Sequence, residues 1–127
     1  MSVFCDDARA ANDLWVGNTD VNWATPANWT ATTFPANNDS LEFGAAGSSG
    51  ATLTDNLMTP ATYNVSGITF DSGGAAWTFN TSAGSGFTLT GGITDNSVSV
   101  DTIKDLITLG ASRSGADRHI AGLKHFN

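Results

Sequence analysis

Six times between residues 63 and 109 the chain places one small polar residue between two large apolar ones. The triplets are Tyr63-Asn64-Val65, Ile68-Thr69-Phe70, Trp77-Thr78-Phe79, Phe87-Thr88-Leu89, Val98-Ser99-Val100 and Ile107-Thr108-Leu109. Alternation of period two puts the apolar pair on one face of an extended strand and the polar residue on the other. β-Branched and aromatic residues fill the apolar positions, as a pleated surface favours. Between the triplets stand Asp71-Ser72-Gly73-Gly74, Gly84-Ser85-Gly86, Gly91-Gly92 and Asp95-Asn96-Ser97. Gly and Asn tolerate positive φ, so these runs predict turns. Earlier, Leu41-Glu42-Phe43 alternates in the same way and turns Glu42 to solvent. A Gly/Ala/Ser loop follows it over 44–50. The chain reads as all-β.

Short strands at this spacing suit a small antiparallel β-sandwich or a barrel. They also suit a solenoid, in which each rung carries two or three strands. Internal similarity favours the solenoid. Gly67-Ile68-Thr69 recurs as Gly92-Ile93-Thr94, and Thr88-Leu89 followed by Thr90-Gly91 recurs as Thr108-Leu109-Gly110. The offsets, about 25 and about 20 residues, match the repeat lengths of stacked architectures. Stacking also gives the many Thr and Asn residues a role, because equivalent polar positions form ladders.

Charge narrows the partners. From residue 11 to 103 there is no lysine or arginine, and the stretch holds eight acids. The net charge is −7, and four of the five basic residues (Lys104, Arg113, Arg118, Lys124) fall in the last 24 positions. Nucleic-acid binding rests on neutralising phosphates with Lys and Arg, so no nucleic-acid partner is expected. An anionic membrane surface is disfavoured for the same reason. No run approaches the ~18 apolar residues of a spanning helix, so membrane insertion by this segment is not expected. The one cysteine, Cys5, cannot form an internal disulfide. Residues 1–11 read as a disordered terminus or a leader remnant, since Ala8-Arg9-Ala10 has the small-x-small form of a cleavage site.

Trp15, Trp23 and Trp29 are the strongest candidates for a binding role. Indole faces suit the C–H faces of pyranose rings, and the neighbouring Asn and Asp could bond hydroxyls. An extracellular polysaccharide is the corresponding partner. The competing reading, which the chain favours, is a cap: the end of a repeat core must be covered, and Trp covers much area. Asp/Asn turns could supply calcium oxygens, but no EF-hand loop or nonapeptide calcium repeat is present. His119 and His125 lie near no second ligand pair. No nucleophile elbow, phosphate loop or dinucleotide fingerprint appears. Asn28, Asn38, Asn64 and Asn80 each begin a sequon, relevant only in a eukaryotic secretory route. No catalytic residue, metal or cofactor is expected.

One resemblance rests on the ordered motif. Trp15-x-Gly17-Asn18-x3-Asn22-Trp23-x4-Asn28-Trp29 comes first. Pro35 and Asp39-x-Leu41-x-Phe43-Gly44 follow, then Ile68-x-Phe70 and Leu89-x-Gly91-Gly92-Ile93-x2-Asn96-Ser97. This order resembles the start of autotransporter-associated β-strand repeat proteins, which are large secreted or surface-displayed bacterial proteins. The resemblance spans roughly residues 12–112. It implies the N-terminal cap and first rungs of a right-handed parallel β-helix in a passenger region. The implied role is non-catalytic and structural, with further β-repeats of a longer chain as partner; the resemblance brings no catalytic residues. Residues 113–127 depart from the pattern. They fit a short amphipathic cap with Ile120, Leu123 and Phe126 on one face, a disordered tail, or a frameshifted or truncated end. The expected division is therefore a terminus over 1–11, a repeat domain over 12–112 and an atypical tail over 113–127.

Overall fold

The computed structural model describes residues 11–58 and 62–110, together with the backbone of two short strands at 120–121 and 125–126. The leader reading of residues 1–10, with Cys5, lies outside the described residues, as do His119, Leu123 and the side chain of His125. The strands are β1 (Asn12–Trp15), β2 (Ser40–Phe43), β3 (Thr52–Asp55), β4 (Asn64–Val65), β5 (Gly67–Phe70) and β6 (Thr78–Thr81). They continue with β7 (Phe87–Leu89), β8 (Ile93–Asp95), β9 (Thr102–Ile103), β10 (Ile107–Leu109), β11 (Ile120–Ala121) and β12 (His125–Phe126). The helical content of the described residues is one 3-10 turn, Pro26–Asn28.

The strands stack into three sheets, ordered β1-β2-β5-β8-β11, β3-β6-β9-β12 and β4-β7-β10. Every ladder between them is parallel. The chain visits the sheets in fixed rotation, so β2-β3-β4, β5-β6-β7 and β8-β9-β10 are three successive rungs. This is a parallel β-solenoid of about three turns. An antiparallel sandwich would need hairpin pairings, and among the described strands there are none. The internal similarities are the register itself: Ile68 pairs with Ile93 and Thr69 with Thr94, while Thr88 pairs with Thr108 and Leu89 with Leu109.

Alternation along each strand sends one set of side chains inward, and parallel register stacks those sets into columns. Leu41, Ile68 and Ile93 form one buried column, and Leu53, Phe79 and Ile103 another. In the third sheet the column runs Val65, Leu89, Leu109, where exposure rises from 1% and 0% to 49%. Among the described residues, this third-sheet column is thus covered at Val65 and half-exposed at Leu109.

The triplet Val98-Ser99-Val100 is not a strand; its valines are 92% and 56% exposed. Polar chemistry overrides the alternation there. Ser97 N–H donates to Asp95 Oδ1 at 2.8 Å, and Ser97 Oγ bridges Asp95 Oδ1 (2.7 Å) and Asp101 Oδ2 (3.0 Å). These bonds turn the chain from the first sheet to the second and throw both valines outward. In the atypical tail, the described residues extend the first and second sheets rather than forming a helix.

The close spacing of the rungs constrains the connections. A Cβ on Gly91 would lie 1.8 Å from Ser66 O, a backbone atom of the rung below. Gly50 has φ +85 but open space around a would-be Cβ. Gly91→Ala is therefore expected to cost about 2–3 kcal/mol, since the backbone itself must give. Gly50→Ala should cost only about 1 kcal/mol, the penalty of a left-handed L-residue. Urea unfolding of the two variants measures the contrast.

Candidate functional site

The three candidate tryptophans converge at the closed end of the solenoid. β1 lays Trp15 beside Phe43 in the first sheet, and Asn22 bridges in parallel to Thr54 of the second, so residues 12–22 trace an incomplete rung below β2-β3. The chain then folds back over the core. Pro26 opens the 3-10 turn, where its fixed φ is already helical, and Trp29 returns antiparallel to Trp15.

Trp23 is the centre of this plug. It meets Phe79 and Trp29 edge-to-face, with ring centroids 5.2 and 6.3 Å apart, and stacks on Phe43 at 6.0 Å. Trp15 meets Trp29 edge-to-face at 5.0 Å. Offset and edge contacts suit the aromatic quadrupole. Trp15, Trp23 and Trp29 are 2%, 0% and 0% exposed. A sugar ring cannot stack on faces already covered by Phe43, Phe79 and one another. The geometry assigns these residues to the cap and gives the polysaccharide reading no platform here.

Asn28, which the sequence offered only as a motif position and a sequon, holds the plug in place. It is fully buried, with all its amide groups in use. Its Oδ1 accepts from Thr19 N–H (3.0 Å) and Asp20 N–H (3.3 Å), and its Nδ2 donates to Asp20 Oδ1 (2.8 Å) and Asn22 O (3.0 Å). Its own carbonyl accepts from Val16 N–H at 2.7 Å. Trp29 Nε1 donates to Trp23 O at 2.9 Å. Asp20 also accepts from Asn22 N–H, which with Thr25 and Asn28 holds its carboxyl below the usual range. Burial makes Asn28 unavailable as a glycan acceptor in the folded chain.

The second unusual feature is a set of carboxyls that face carboxyls. Asp13 occupies a buried position over Leu41, and its Oδ2 has no donor. Burial and then the neighbouring Asp39 push it up to about 6. Asp39 is itself occupied, accepting from Ala11 N–H and Ala36 N–H at 2.7 Å each. At the solenoid surface Asp71 is likewise raised to about 6, by desolvation and then by Glu42. Glu42, expected to face solvent, is half-buried there and accepts from Asn12 Nδ2 at 2.6 Å. The most buried pair is Asp55 and Asp105, at the corner between the second and third sheets. Asp55 Oδ1 accepts from Leu57 N–H (2.9 Å) and Met58 N–H (2.8 Å), which turns the chain out of β3.

Among the described residues no cluster of three or more His, Cys, Asp or Glu side chains is gathered for a metal ion. No described helix is long and apolar enough to cross a membrane. No family model, curated protein or solved structure matches the chain.

The plug carries its own test. Trp23→Ala is expected to cost about 3–5 kcal/mol by chemical denaturation, the range for a buried aromatic. Asn28→Ala, which strands several buried donors and acceptors, should cost about 3 kcal/mol. The folded protein should show blue-shifted tryptophan emission, protected from acrylamide and unmoved by added polysaccharides.

Proposed function

We propose that the chain is a non-catalytic structural segment of a secreted or surface-displayed bacterial protein of the autotransporter-associated β-strand repeat kind. One observation carries this reading: among the described residues the core is plugged at one end, while one of its columns stands half-exposed at the other. The aromatic plug seals the N-terminal end, while the core column of the third sheet ends on a half-exposed Leu109. Repeat architectures behave this way, with a distinct cap and a face on which the next repeat stacks. The motif order that resembles the repeat family adds support. Further β-repeats of a longer chain are the partner that fits that face.

Mechanical work follows from the ladders. Parallel backbone bonds tie each rung to its neighbours, and outward columns such as Thr52-Thr78-Thr102 repeat along the axis. A chain without Lys or Arg over 11–103 presents an acidic surface that resists self-association. Such a segment spaces or presents other parts of its protein.

Location is the discriminating measurement. An epitope placed at the exposed Ala45–Ala46 loop should be labelled by antibody on intact producing cells and be removed by external protease. Labelling only after lysis overturns the reading.

A further inference from the structure

Asp55 and Asp105 come from different rungs. Asp55 ends β3 in the first rung, and Asp105 follows β9 in the third. Thr81 stands between them in register: it pairs with Asp55, and it lies two residues beyond Phe79, the partner of Ile103. Thr81 is exposed, and its hydroxyl bonds the turn carbonyls Ser82 O (2.9 Å) and Ser85 O (3.1 Å). Register and burial bring both carboxyls to this corner, and their side chains hydrogen-bond one another. They are 0% and 2% exposed. Asp55 Oδ2 and Asp105 Oδ2 are buried and have no donor. Two carboxylates cannot bond each other; one carboxylic acid and one carboxylate can, through a single shared proton.

We propose that this pair is a proton-operated clamp. One proton ties the first rung to the third across the corner, and its loss in alkaline solution loosens the third rung. The surroundings favour that assignment. Backbone N–H groups of Met58 and Leu57 bond Asp55 Oδ1 and stabilise its charge, so Asp55 is the better anion. Asp105 has only the adjacent Leu106 N–H, on its Oδ1, to help it, so it holds the proton. Burial and then Asp55 push Asp105 up to about 8, and burial also raises Asp55. Tyr63 is the other titrating group that shares this field; burial and then Asp39, Asp13 and Asp55 keep it protonated, up to about 12. Lys104, next to Asp105 in sequence, is exposed.

The linkage has a definite sign. Asp105 titrates near its ordinary 3.8 in the unfolded chain and near about 8 in the folded one. The folded state therefore binds more protons, and stability falls as pH rises between those values. The clamp's contribution is complete below about pH 4 and gone above about pH 8. Asp13 and Asp71 act in the same direction but are spent by about 6. The interval from about 6 to about 8 thus belongs to Asp55–Asp105.

Thermal unfolding of the full chain by circular dichroism, in steps of pH, tests the clamp. The wild type should lose about 5 °C or more of Tm across the upper interval, the shift expected for a loss of a kcal/mol or so in a small domain. Asp105→Asn, whose amide donates permanently, should abolish that loss and unfold above the wild type in alkaline buffer. Asp55→Asn reverses the donor and serves if the first variant does not fold. In the wild type, 13C carboxyl NMR should show one of the pair titrating well above the ordinary range. Amide exchange at Phe87 and Gly110, which bond Leu106 O and Leu89 O, should quicken on the alkaline side beyond the intrinsic rate. Superimposable Tm curves for wild type and Asp105→Asn, or both carboxyls titrating near about 4, overturn the proposal.

Discussion

Parallel register is the constraint from which the rest follows. A parallel ladder places each strand position over the equivalent position of the strand below, about 4.8 Å away. Inward residues must then tolerate their own stacking neighbours along the whole axis. Large apolar residues meet this demand by forming columns, as Leu41, Ile68 and Ile93 do. The corners must repeat as well, because the chain changes sheet three times per rung. Gly91, with Ser66 O pressed against it, shows how little room the repeat leaves there.

The corners use aspartate in a recurring way. Asp55 and Asp95 end strands of the second and first sheets, point inward, and accept the N–H two residues on. Asp20 makes the same turn within the cap. Each carboxylate closes a turn that the strand cannot close alone. The consequence is electrostatic. Acids brought in from different rungs stand near one another, as Asp55 and Asp105 do, and the chain supplies no Lys or Arg to pair with them over most of its length. Protons do the pairing instead. Folding, turn formation and proton uptake are therefore linked in this solenoid.

The same aspartates explain what alternation alone failed to find. Five of the six triplets and Leu41-Glu42-Phe43 mark real strands, β2, β4, β5, β6, β7 and β10. From β1 to β10, the strands that the triplet pattern missed have an aspartate at one of the two inward positions: Asp13 before Trp15, Asp55 after Leu53, Asp95 after Ile93, Asp105 after Ile103. An apolar-x-apolar search passes over apolar-x-Asp. The sixth triplet, Val98-Ser99-Val100, failed for the reverse reason, since Asp95, Ser97 and Asp101 fold the chain into a corner where alternation carries no meaning.

Local pattern by itself determined the strand class, the positions of the turns and, through its two short repeats, the register of the first and third sheets. These are properties of neighbours along the chain, where side-chain direction has period two and Gly or Asn permits the bend. It also favoured a cap role for the tryptophans over a sugar platform. Only the tertiary structure decided that Trp23 sits at the centre of the plug, that Asn28 anchors it, and that Asp55 meets Asp105. Those facts depend on residues from 6 to 56 positions apart being brought together by the fold. A carboxyl's protonation depends on burial and on its neighbours in space, which a linear reading does not contain.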